Sequence, residues 1–220
     1  TPPLTAAELQ KIEAARVKRE QQRQTAAAQQ RQRAEQAARD AARLWAEAAE
    51  LQAGTEDAGA SPYLARKGVQ AHGVRLLPGQ VLAVPMRDEA GELVNLQRIA
   101  PQRPTAEEEA AGAREKRYLP GGRKKGARHW LGDPAAALLR AAAAGDAGEG
   151  PAVLCLAEGY ATAASCHEAS GWPVAVCFDS GNLAEVARGL PALLPGAAFL
   201  VLADDDAATA ARDERTGKNP

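Results

Sequence analysis

From Thr5 to about Gln52 the chain carries neither Gly nor Pro and is dominated by Ala, Gln, Arg and Glu, residues that lose little side-chain freedom in a helix. One long helix, or two, is predicted there. Large apolar residues stand only at its ends: Leu4, Leu9, Ile12 and Val17 at one, Leu44, Trp45 and Leu51 at the other. The middle offers only Ala to bury, so it is expected to be solvated, as a lever arm between domains or a docking surface for a partner.

Past a Gly-bearing linker the pattern changes. Ser61 and Pro62 start a short predicted helix that Gly68 stops. Residues 81–88 and 92–99 are apolar runs around an acidic-Gly turn, the signature of a β-hairpin. Strict alternation puts Leu93, Asn95, Gln97 and Ile99 on one face and Val94, Leu96 and Arg98 on the other. Residues 102–115 are polar and Glu-rich and are expected to form a mobile excursion, after which Arg117 to Leu119 resume the sheet. From Pro151 onward strand (152–157), helix (161–169), strand (173–178), helix (182–190) and strand (199–203) alternate with short connections, which forces a parallel sheet with right-handed crossovers.

Charge changes this picture more than composition does. The net charge is only −1, with 25% charged, 45% hydrophobic and 4% aromatic residues, as in a globular protein whose apolar share is inflated by Ala. Residues 66–130, however, hold 13 basic and 7 acidic residues, and residues 151–220 hold 4 and 9. A basic segment next to an acidic one is expected where one binds a polyanion and the other a metal. Cys155, Cys166 and Cys177 form no CxxC pair, so neither disulfides nor a zinc ribbon is expected. No apolar run reaches the roughly 20 residues of a membrane span, and no signal peptide is recognisable, so a cytoplasmic protein is expected. The start at Thr1 and the stop at Pro220 suggest a fragment of a longer protein.

The candidate chemistry sits at strand ends. Two buried-strand patterns stop at acids, one at Glu158-Gly159 and the other at Asp204-Asp205-Asp206. Ligands of open α/β sheets lie beyond the carboxyl ends of the strands, where Glu158, Asp204 and Asp206 would repel one another unless a cation sat among them. Mg²⁺ is the expected occupant, and Asp205 would point away. Asp179 is a further candidate, against the reading that it merely caps a helix. His72, His129 and His167 are expected to be structural. Arg114 to Arg128 hold seven basic residues and one acid, interleaved with Gly and Pro and flanked by Tyr118 and Trp130, which suits phosphate contact and base stacking. A merely solvated basic loop would look similar.

The segments Ala157 to Ala163, Phe178 to Leu183 and Ala203 to Asp206 together resemble the Toprim domain, the metal-binding fold of bacterial primases, topoisomerases and some nucleases. Val84 to Gly91, Gln97-Arg98 and Lys116 to Gly122 resemble the basic subdomain that precedes it in primases of the plasmid and phage type. The resemblance covers about residues 61–220. It implies an α/β fold: a Toprim-like parallel sheet with flanking helices, a basic α+β subdomain before it and the long N-terminal helix. The domains would be 1–55, a helical arm or linker; 56–148, the basic subdomain; and 149–220, a Toprim-like unit cut short at its C-terminal end. The implied activity is primer synthesis from nucleoside triphosphates on single-stranded DNA, with Mg²⁺ or Mn²⁺ held by Glu158, Asp204 and Asp206 and no zinc site. Glu158 stands alternatively as a general base. Arg87, Arg98, Lys116, Arg117, Arg123, Lys124, Lys125 and Arg128 would contact template or triphosphate. A helicase or another replication protein is a candidate partner and a membrane is not. A Toprim-type nuclease and a non-catalytic module that binds single-stranded nucleic acid are the alternatives.

Overall fold

The computed structural model describes residues 5–52, 54, 59–144 and 150–203. Helix α1 (Ala6–Glu47) is continuous over 42 residues. A capping box starts it: the Thr5 hydroxyl accepts from the Glu8 N–H at 3.3 Å and the Glu8 carboxylate accepts from the Thr5 N–H at 2.7 Å. The solvated middle needs correction towards its C-terminal side, because Ala37 and Ala41 are buried with Leu96 and Leu119. Small side chains let the helix backbone lie close against a sheet, so Ala can dock a helix without large apolar residues. Among the described residues no helix is long and apolar enough to cross a membrane.

The sheet beneath α1 has the order β1 (Ala49–Glu50), β2 (Arg75–Leu77), β3 (Val81–Arg87), β4 (Leu93–Ile99) and β5 (Lys116–Tyr118), all antiparallel. Helix α2 (Pro62–Lys67) begins at the Ser61 cap and ends at Gly68, whose φ of 66° suits a residue without Cβ. The β3–β4 hairpin carries a bulge: Met86 pairs with Asn95 and Arg87 with Leu93, which leaves Val94 as the extra residue. The strict alternation expected for β4 therefore fails at its start. Leu93 packs beside Leu96 towards α1, and Val94 joins Ile99 in the main core. The Glu-rich excursion contains a short helix, α3 (Ala106–Ala110), with its own Thr105/Glu108 capping box, and Arg66 pairs with Glu115 at its far end.

The second sheet has the order β6 (His129–Leu131), β8 (Val174–Val176), β7 (Val153–Ala157) and β9 (Ala198–Leu202), in which β8, β7 and β9 are parallel and β6 antiparallel. Helix α4 (Pro134–Ala144) leaves β6, and α5 (Tyr160–Ser170) and α6 (Ser180–Leu193) follow β7 and β8. Alternation along the strands separates two layers. Cys155, Ala157, Val174 and Val176 meet α5 and the first sheet, in a core shared with Leu82, Val84 and Met86. Leu156, Ala175 and Cys177 meet Val186 and Leu190 of α6. All three cysteines are free.

Side-chain hydrogen bonds tie the halves together along α5. Glu168 accepts from the Gln70 N–H and pairs with His72 Nε2, both at 2.8 Å, and the Tyr160 hydroxyl donates to the Gln70 carbonyl at 2.9 Å. His129 Nε2 meets the His72 carbonyl at 2.8 Å, and His167 Nδ1 meets the Trp172 carbonyl at 2.7 Å.

Candidate nucleic-acid and metal site

The site is built where three parallel strands end level. Ala157 of β7 pairs with Val176 of β8 on one side and with Leu202 of β9 on the other. Glu158 follows directly, exposed, with no hydrogen bond or ion pair to its side chain among the described residues. Asp204 and Asp206, the other two acids expected there, lie outside the described residues, as does Asp205. Among the described residues no group of three His, Cys, Asp or Glu side chains could hold a metal. The first sheet reaches this edge through β5. A Cβ added to Gly159 would stand 3.6 Å from Lys116 Nζ, so an ammonium hangs over the turn that carries Glu158.

Beside it, Tyr118 braces the neighbouring turn. Its hydroxyl accepts from Gln97 Nε2 and donates to the Phe178 carbonyl, each at 3.2 Å. Burial raises the Tyr118 hydroxyl above its ordinary pKa; Gln97 and Lys124 oppose this, and the charges of Asp179 and Glu158 reinforce it. Phe178 adopts φ 75°, a left-handed conformation that costs an aromatic residue about 1–3 kcal/mol. The buried Asn182 amide holds that turn. Its Nδ2 donates to the carbonyls of Cys177 (2.7 Å) and Ala127 (2.8 Å), and its Oδ1 accepts from the Gly126 N–H at 2.7 Å.

Both oxygens of Asp179 are engaged, one by the Asn182 N–H at 2.8 Å as the cap of α6 and the other by Lys124. Partial burial disfavours its charge, but the Lys124 ammonium and the cap bonds outweigh this and hold the carboxyl below the usual range. The same pairing raises Lys124, whose Nζ lies 5.4 Å from the Tyr118 ring centroid.

The basic residues divide by sheet face. Lys116, Tyr118 and Lys124 gather at the Glu158 edge. The rest of the Gly-rich loop is neutralised in place, Arg123 by Asp88 (3.1 Å) and Glu89 (3.3 Å), Lys125 by Glu185 (3.3 Å). Arg98 and Arg117 stand opposite each other across β4 and β5, in alternation with Lys116 and Tyr118, and so face the α1 side. Like charges directly opposed are unfavourable, and Arg98 Nε is buried without a partner among the described residues.

Arg87 and Arg128 exchange backbone hydrogen bonds of 2.9 and 2.8 Å and line a cleft of about 630 Å³ with Arg75, Trp45, His129 and Trp130. Burial lowers the pKa of Arg128, against the pull of Glu89 and Asp88, and its Nε has no partner among the described residues. Arg75 donates to the Trp45 carbonyl at 2.7 Å, lies 4.7 Å from the Trp45 ring centroid and bonds Glu50. Neither Arg75 nor Trp45 is legible as a site residue from sequence, because 30 residues and a docked helix separate them.

No family model matches the chain. Over 148 residues, 66% of its length, it is 35% identical to a DNA primase TraC from Escherichia coli, and it is 34% identical over the same length to a second protein of that name and organism. This chain is similar to DNA primases. It spans only 12% and 9% of the lengths of those two primases. Among solved structures, the RNA polymerase domain of the Mycobacterium tuberculosis primase DnaG aligns with 74% of the chain and 50% of its own length, at 18% identity and a TM-score of 0.33.

Proposed function

We propose that the protein is a catalytic core of a DNA primase, joining nucleoside triphosphates into a primer on a single-stranded DNA template. The observation that carries this reading is the exposed Glu158, without a side-chain partner among the described residues, at the carboxyl edge of the parallel strands with the Lys116 ammonium over the adjoining Gly159. The similarity to the TraC primases supports it. The order β8, β7, β9 with α5 and α6 on opposite faces supports a Toprim-like assignment for this half.

A solvent-facing carboxylate with free lone pairs suits a hard cation. Glu158, together with Asp204 and Asp206, would hold Mg²⁺ or Mn²⁺, which when bound neutralises charge on a triphosphate. Lys116 supplies a positive charge to the same phosphates without the geometric demand of a bidentate contact. Tyr118 and Asn182 keep the strand-end turns in place, so the carboxylate edge is preorganised. Arg87 and Arg128 receive the template backbone in the cleft, where Trp130 lines the wall.

The test is incubation of the protein with single-stranded DNA and labelled nucleoside triphosphates in Mg²⁺ or Mn²⁺. Short labelled products are expected. Degradation of labelled DNA without nucleotides would identify a nuclease instead, and salt-sensitive DNA binding indifferent to metal, with no product, would identify a non-catalytic module.

A further inference from the structure

The long helix carries more than a linker requires. Where α1 lies on the first sheet, the face turned to the sheet is Arg33, Ala37, Ala41, Leu44 and Ala48: the last four pack into the apolar clusters of that sheet, and Arg33 crosses the loop at Gly121. A Cβ on Gly121 would stand 2.9 Å from the Arg33 Cβ, and Gln30 Nε2 donates to the Gly121 carbonyl at 3.4 Å. At about 100° per residue the same face continues upstream through Gln30, Ala26, Arg23, Arg19, Arg16 and Ile12, all within an arc of about 100°. Beyond the sheet's rim the underside therefore changes from Ala and Leu to a ladder of arginines.

Those arginines are open to solvent, the side chains of Arg16 and Arg23 being 81% and 82% exposed. Their ion pairs are long and weak, 3.9 Å to Glu13 and 3.8 Å to Glu20, and a phosphate can displace them. Arg16 to Arg33 hold six basic residues and one acid. The ladder starts beside the Gly121 loop, which leaves β5, the strand that carries Lys116, so it continues from the strand of a proposed phosphate contact. From Arg33 to Arg16 the helix extends about 26 Å, long enough to follow several phosphates of a single strand.

We propose that the underside of α1 upstream of Gln30 is a second contact surface for single-stranded DNA, with Arg16, Arg19 and Arg23 holding the phosphates of strand that extends past the Gly121 loop. This rests on the primase reading for the origin of the strand. A second copy of the chain is the poorer occupant, since an isologous contact would set arginine against arginine, and the apolar residues nearby, Leu9, Ile12 and Val17, remain about half exposed without a continuous seam.

The test is a fluorescence titration of a 30-nucleotide oligo-dT with the whole chain, wild type against an R16Q/R19Q/R23Q triple variant, repeated over a range of salt. Gln keeps helix propensity, and an unchanged circular dichroism spectrum controls for folding. Binding about tenfold weaker at low salt is expected, with the slope of log K against log salt flatter by about 2. Identical affinity and slope would overturn the proposal, and so would a change in sedimentation that made α1 a self-association surface. An Arg87→Gln variant separates the two readings. If the oligonucleotide binds, responds to Arg87→Gln and ignores the triple change, the arm alone is wrong; if it does not bind at all, both are.

Discussion

The Asn182 amide touches three chain segments at the rim of the parallel strands, and the strained Phe178 turn depends on it. Removing it by Asn182→Ala leaves the Ala127 and Cys177 carbonyls and the Gly126 N–H without their partner, each worth on the order of 1 kcal/mol or more when buried. A loss of about 3 kcal/mol in chemical denaturation is expected, and a loss under about 0.5 kcal/mol would mean that water replaces the amide. His129 makes a second residue-level expectation. Burial, above all, lowers its pKa to about 4 from 6.5, with Arg87 and His72 adding to this and the His72 carbonyl opposing it. The unfolded chain therefore takes up a proton that the folded one refuses. The stability His129 contributes is whole above about pH 6.5 and is lost as pH falls towards about 4, on the order of 3 kcal/mol in all. Thermal melts across that window should show the decline, and His129→Gln should flatten it.

Helix α1 joins the body through Ala37, Ala41 and Leu44, of which Ala41 is wholly buried. An Ala41→Trp change would force a large ring between the helix and Leu96, an overpacking cost of about 1–3 kcal/mol or more, and the helix should lift rather than bear it. Limited proteolysis should then cut within 30–48 while the parallel sheet stays intact; an unchanged digest would contradict the docking. The elements themselves were largely legible in sequence. Uninterrupted apolar runs marked β7 and β9, Ser61 and Gly68 marked the ends of α2, and an acidic-Gly turn marked the β3–β4 hairpin. Strand β6 was not, because His129-Trp130-Leu131 is three residues at the end of a basic loop, too short for any period, and becomes a strand only by pairing with β8. The Val94 bulge was hidden for a similar reason: an extra residue in one strand is defined by its partner.

At the scale of the whole molecule, two sheets share one core, and the carboxyl edge of one is roofed by the edge strand of the other. Glu158, Lys116 and the acids expected beyond Ala203 were all named from residue type and position. Tyr118 beside them, and Arg75 and Trp45 in the separate Arg87/Arg128 cleft, needed the fold, since nothing local tells a bracing tyrosine from a stacking one. The cations of the Gly-rich loop also read differently once folded, because Asp88, Glu89, Asp179 and Glu185 come from distant segments to pair with them. That leaves Lys116 and the Arg87/Arg128 cleft as the phosphate contacts of the proposal. The most direct test of the central claim is primer synthesis on single-stranded DNA by Glu158→Gln, measured beside DNA binding by the same variant. Glu158 is exposed, so the change should leave folding and binding intact while product formation falls by about a hundredfold or more. Product formation at the wild-type rate would contradict the assignment of this edge as the catalytic one.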